Sequence, residues 1–283
     1  MQSNYLIIAG GEPLLHQDIL MLVREASRHG LFPYLMTNGI LLNEKLIKKL
    51  KQEGLVAIRF TLDSLSKQIQ DGLKGEGSLE KIIQAMNLSN AEEIGVNINV
   101  PVGEHNYAEL DEIVQFCISN KVRTLRFSPL VDSSQDFNKA VIKRIISLHE
   151  KYVEKLYYND YAEYKGYQDF LKTIESSVCP GGIISININP DGNVTKCPYD
   201  DQNILGNINN ESLYSIWMGG YSSNVKSADK CSVINFDPVD LFVELEEYFS
   251  KDIKRCISAW VAQIENKKKL CYRDLPCWYF TFL

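Results

Sequence analysis

Over the first 130 residues, five short apolar runs alternate with segments of helical period, and this alternation constrains the fold more than any other feature of the chain. The runs at 5–9, 32–36, 55–60, 94–100 and 122–127 have strand length and strand composition. Between the first two, Ile19, Leu22, Val23 and Ala26 share one helical face ahead of Gly30, a residue suited to stop a helix. Residues 43–53, 78–93 and 107–120 carry the same period. Strands that alternate with helices pair in parallel through crossovers, so an α/β fold is expected, as a doubly wound sheet or a barrel.

The 283 residues are long enough for such a unit followed by a smaller domain. Residues 139–156 read as a further helix and the tyrosine-rich stretch 157–167 as a crossover, so the expected division is 1–156, a linker at 157–178, and 179–283. In the last part, residues 183–188 and 194–197 flank Pro190-Asp191-Gly192-Asn193, and Asp-Gly between extended runs marks a hairpin. Residues 238–268 read as a long helix, with Asp237 as N-cap and Pro238 in the first turn. A net charge of −6 provides no basic field, so neither nucleic acid nor a membrane is an expected partner. There is no apolar run of about 18 residues and no targeting segment at the start, and the expected location is cytoplasmic.

Ligands collect at the carboxyl ends of strands in parallel α/β folds. There the chain places Gly10-Gly11-Glu12-Pro13, then Thr37-Asn38-Gly39, then Thr61-Leu62-Asp63-Ser64, then Ser128-Pro129. Paired glycines open the backbone to a ligand, a carboxylate beside them can accept from an ammonium group, and Pro13 suits the first turn of a helix. Any one of these motifs alone is adequately explained as a turn; several at matched strand ends point to a site.

The order of these motifs resembles the radical S-adenosylmethionine superfamily, from about residue 5 to 130, continuing through Gly75-Glu76-Gly77-Ser78, Asn106-Tyr107-Ala108-Glu109-Leu110 and Arg126-Phe127-Ser128-Pro129-Leu130. The resemblance implies an incomplete parallel (β/α)6 barrel that binds S-adenosylmethionine. Gly10, Gly11, Glu12 and Pro13 would lie at its amino group, Thr37 and Asn38 beside them, and Thr61, Asp63 and Ser128 at its carboxylate and ribose. Lys74 stands where relatives often carry arginine, a point charge in place of a bidentate fork. Residues 179–217, with Leu205-Gly206-Asn207-Ile208 and Glu211-Ser212-Leu213-Tyr214-Ser215-Ile216-Trp217, resemble the SPASM or twitch extension, a small α+β region that ligates auxiliary [4Fe–4S] clusters. Cys179, Cys197 and Cys231 are the ligands this implies. The implied chemistry is reductive cleavage of S-adenosylmethionine, and relatives with this extension modify peptides or act as maturases, which makes a peptide the expected substrate.

The superfamily's C-x3-C-x2-C motif is absent: the seven cysteines, Cys117, Cys179, Cys197, Cys231, Cys256, Cys271 and Cys277, include no pair at its spacing. With nine residues before Gly10, the chain as given is expected to start at the family's second strand and to be catalytically incompetent. It is then a fragment, a partner of a second chain that supplies the missing strand, or a degenerate relative. An apolar first strand without a neighbour is also an association hazard. Two readings from other classes stay open: a non-enzymatic partner-binding module with structural zinc, and an ordinary α/β-barrel enzyme using Glu12 and Asp63 as acid and base. Cys117 lies among apolar residues and reads as a small buried hydrophobe, Cys256 sits on the apolar stripe of the late helix, and His16, His29, His105 and His149 have no metal-ligand spacing.

Overall fold

The computed structural model describes residues 5–129, 186–196, 203–224 and 280–282, and helical residues at 137, 140–141, 143–145, 147–148 and 151–152. They fall into two compact units. In the first, β1 (Tyr5–Ile8), β2 (Phe32–Thr37), β3 (Ala57–Thr61), β4 (Gly95–Val102) and β5 (Thr124–Pro129) pair in parallel in that order. Helices α1 (Ile19–Arg28), α2 (Glu44–Gln52), α3 (Lys67–Lys74), α4 (Ser78–Ala91) and α5 (Leu110–Ser119) fill the crossovers. Short β9 (Phe280–Phe282), which the alternation does not single out, closes the far edge by pairing antiparallel with β5. The second unit holds β6 (Asn187–Ile188), β7 (Asn193–Thr195) and β8 (Ile204–Asn207) in an antiparallel sheet, with α6 (Leu213–Asn224) after it. The expected helix at 238–268 lies outside the described residues.

Successive neighbouring strands joined by right-handed crossovers place their helices on one side of the sheet. That side carries Leu35, Ile58, Phe60, Ile98, Val100, Leu125 and Phe127, each at most 3% exposed, against Ile47 and Leu50 of α2, Ile82 and Met86 of α4 and Ile113 and Val114 of α5. Each such side chain contributes about 1.5–3 kcal/mol by leaving water. Cys117 is buried in this layer, as its setting predicts, and burial raises its thiol pKa.

Local capping follows the sequence in part. Asn43 opens α2 by accepting from the Leu46 amide at 3.0 Å. The segment read as one helix over 107–120 begins instead with a 3-10 turn at Tyr107–Glu109 before α5. Gly77 precedes α4 and has no side chain to cap it; Asp71 does so from α3, accepting from the Gly77 and Leu79 amides at 2.9 and 3.2 Å. Among the described residues β1 has one strand neighbour, and Tyr5 and Ile7 on it are 37% and 54% exposed. No described helix is long and apolar enough to cross a membrane.

Candidate functional site

The strand-end motifs of β1 and β2 meet. Glu12 Oε1 accepts from the Leu14 amide at 3.0 Å and from Thr37 Oγ1 at 2.7 Å, while Oε2 accepts from the Asn38 amide at 3.0 Å. This leaves lone-pair capacity on Oε2 for a further donor. A Cβ built on Gly10 or Gly11 would meet no atom within 4 Å, so the backbone beside that carboxylate is open. Pro13 is buried and starts the 3-10 turn Pro13–Leu15. Gly39 is required by space and by φ: at +77° it is left-handed, and a Cβ would stand 2.8 Å from Phe60.

At the end of β3 the backbone is clamped from several directions. Buried Gln70 accepts through Oε1 from the amides of Asp63 and Ser64 at 2.8 and 3.0 Å. Asn106, fully buried, donates through Nδ2 to the Asp63 and Pro101 carbonyls at 2.6 and 2.8 Å, and its Oδ1 accepts from the Gly103 amide. Glu109 accepts from Ser64 Oγ and from the Leu65 amide. The result is to hold the Asp63 side chain, 9% exposed, at the carboxyl edge of the sheet with Oδ2 free of hydrogen bonds and 3.5 Å from Lys74 Nζ. Lys74 and Asp63, read separately as cofactor contacts, therefore form a pair. Ser128 Oγ faces Asn99 Oδ1 at 3.4 Å on the next two strands. Among the described residues, no hydrogen bond or ion pair joins the Glu12 cluster to the Asp63 cluster.

Sequence reasoning quoted Asn106 and Glu109 as parts of a motif but missed what they do, and it missed Gln70 entirely. It quoted Arg126 only as part of a motif, and it missed that Tyr34, Arg59 and Thr124 project with Arg126 and Asn97 from the sheet face that carries no helix. A signal was available: Ile58-Arg59-Phe60-Thr61 and Leu125-Arg126-Phe127-Ser128 repeat one pattern, an arginine alternating with buried apolar neighbours. Cys179, Cys197 and Cys231 lie outside the described residues.

Residues 1–117 match the radical SAM superfamily and residues 179–233 match SPASM, an iron–sulfur cluster-binding domain. The mycofactocin maturase MftC of Mycobacterium tuberculosis (strain CDC 1551 / Oshkosh) is 26% identical over 237 residues, covering 77% of this chain and 59% of the relative. The PqqA peptide cyclase of Rhizobium meliloti (strain 1021) is 26% identical over 243 residues, covering 79% and 62%. The chain thus spans about three-fifths of the length of these relatives. In fold it is similar to native anSMEcpe with bound AdoMet and Kp18Cys peptide, with a TM-score of 0.63 at 17% identity, covering 90% of this chain and 84% of that one. It is also similar to Streptococcus suis SuiB bound to S-adenosylmethionine, with a TM-score of 0.62 at 16% identity, covering 78% and 56%. Residues 1–117 thus belong to the radical SAM superfamily, and residues 179–233 are a SPASM-type region.

Proposed function

We propose that this chain binds S-adenosylmethionine at the carboxyl edge of β1–β5 and belongs to an enzyme that modifies a peptide. The observation that carries the reading is the Glu12 carboxylate, held by Thr37 and Asn38 beside an open Gly10-Gly11 backbone with acceptor capacity to spare. An ammonium group fits that acceptor, and Asp63, with one buried oxygen that makes no hydrogen bond, fits the hydroxyls of a ribose. Lys74, paired with Asp63 at 3.5 Å, supplies a point charge that a carboxylate can share, and Thr61 and Ser128 add hydroxyls at the ends of β3 and β5. S-adenosylmethionine, when reductively cleaved, supplies the radical that takes hydrogen from a substrate. This chain's own residues bind it, orient it and fix its charged end.

The peptide substrate rests on the relatives, which include a maturase and a peptide cyclase. A further chain that adds a strand beside exposed β1 is consistent with that edge. Calorimetric titration with S-adenosylmethionine tests the reading. We expect binding by the wild type and an affinity at least about tenfold weaker in Glu12→Gln, because a charge-assisted contact of roughly 1.5 kcal/mol or more is lost. Equal affinity in the two would sink the assignment of Glu12.

A further inference from the structure

The helix-free face of the sheet holds positive charge that the S-adenosylmethionine site does not use. Arg59 on β3 lies opposite Asn97 on β4, which accepts from Thr124 Oγ1 on β5 at 2.6 Å, and Arg126 on β5 lies opposite Asn99 one rung further along. The Arg59 guanidinium stacks on the Tyr34 ring at 5.0 Å. Among the described residues no carboxylate pairs with Arg59, and its buried Nε makes no hydrogen bond. The Tyr34 hydroxyl is buried too and has no hydrogen-bond partner. Burial raises the Tyr34 pKa, and the charges of Arg59 and Arg126 oppose that shift.

A buried guanidinium Nε–H and a buried phenol hydroxyl without hydrogen-bond partners are costly unless an anion completes them. We propose that Tyr34 and Arg59, with Arg126 adding charge to the same face, form a subsite for a carboxylate of the peptide substrate. The proposal rests on the peptide-modification reading and refines it. The cofactor motifs sit at the strand ends, at Glu12 and Asp63, whereas Arg59 lies two residues inside β3, about 6–7 Å deeper along the strand. A fork-shaped cation matches a planar carboxylate bidentately, which commits the site to acidic side chains or a C-terminus.

The test uses acetyl-Gly-Glu-Gly-amide, its Gln counterpart and N-acetylglutamate as probes of the intact chain, by calorimetry or ligand-observed NMR. Expected is a Glu peptide that binds at least about tenfold tighter than the Gln peptide, a preference lost in Arg59→Gln and partly restored in Arg59→Lys. Tyr34→Phe, which preserves the stack, is expected to weaken the Glu peptide by about threefold to tenfold. Equal affinity of the Glu and Gln peptides, or binding of neither, overturns the subsite. Loss of S-adenosylmethionine affinity in Arg59→Lys also overturns it, assigning the arginine to the cofactor's carboxylate while leaving the peptide reading intact. Arg59-dependent binding of N-acetylglutamate without the Glu peptide keeps an anion site and removes the peptide reading instead.

Discussion

The parallel sheet and the antiparallel hairpin secure their loops by different means. In the first unit, clamps reach across the chain: Glu12 to Asn38 spans 26 residues, Asn106 to Asp63 spans 43, and Glu109 to Ser64 spans 45. In the second, amides tie near neighbours: Asn193 to Asp191 spans two residues, Asn187 to Thr195 eight, and Asn207 to Asn193 fourteen. Clamps of the first kind close only after several strands are registered, whereas the hairpin network closes with its own turn. The geometry of the carboxyl edge therefore depends on the register of several strands.

The strongest way to break this contrast is Asn106→Ala. It removes hydrogen bonds to two carbonyls and one amide at a fully buried position, and a loss of about 3 kcal/mol is expected from urea unfolding of the first unit. A loss under about 1 kcal/mol would show that the Asp63 loop does not depend on its distant clamp. Next is Gly192→Ala in the hairpin turn, where φ is +85° and a Cβ would stand 2.4 Å from Asn209 Nδ2. About 2 kcal/mol of local stability should go, read as faster amide exchange at Asn193 and Ile208, because left-handed strain and displacement of the Asn209 amide act together. Unchanged exchange would mean that the amide network does not need the turn.

The smallest effect expected is on pH dependence. Asp111 is held down to about 2, first by Lys151 and Tyr152, which both donate to it, and Asp71 is lowered chiefly by the Gly77 amide. A carboxylate depressed in the folded state stabilises above its ordinary pKa and loses that contribution as pH falls through the folded value. The first unit should thus weaken between about pH 4 and pH 2, and Asp111→Asn should flatten the slope. Asparagine amides do not titrate, so the hairpin ties Asn187–Thr195 and Asn207–Asn193 should persist through that range, which amide exchange across pH can follow.

Much of the first unit was legible because strand and helix periods are local properties. The runs at 32–36 and 94–100 became β2 and β4 with small shifts of boundary, and Asn43 announced its helix. The segment Lys67–Lys74 was not legible as a helix: it is eight residues long, Ile69 and Leu73 are its only large apolar side chains, Leu73 is exposed, and the residue it buries is the polar Gln70. β9 was hidden for another reason, since three residues exist as a strand only through pairing with Leu125–Phe127.

By itself the sequence determined the alternation of β1–β5 with most of their helices, the polar character of the strand ends and the family resemblance, because these rest on short-range patterns. Only the tertiary structure decided that Glu12 is held by Thr37 and Asn38, that Lys74 pairs with Asp63, that Asn106 and Glu109 are clamps, and that Arg59 meets Tyr34 on the helix-free face. The reason is physical: these contacts depend on which face a side chain takes and on the register of neighbouring strands. A one-residue slip reverses that face without changing the local pattern that announces the strand.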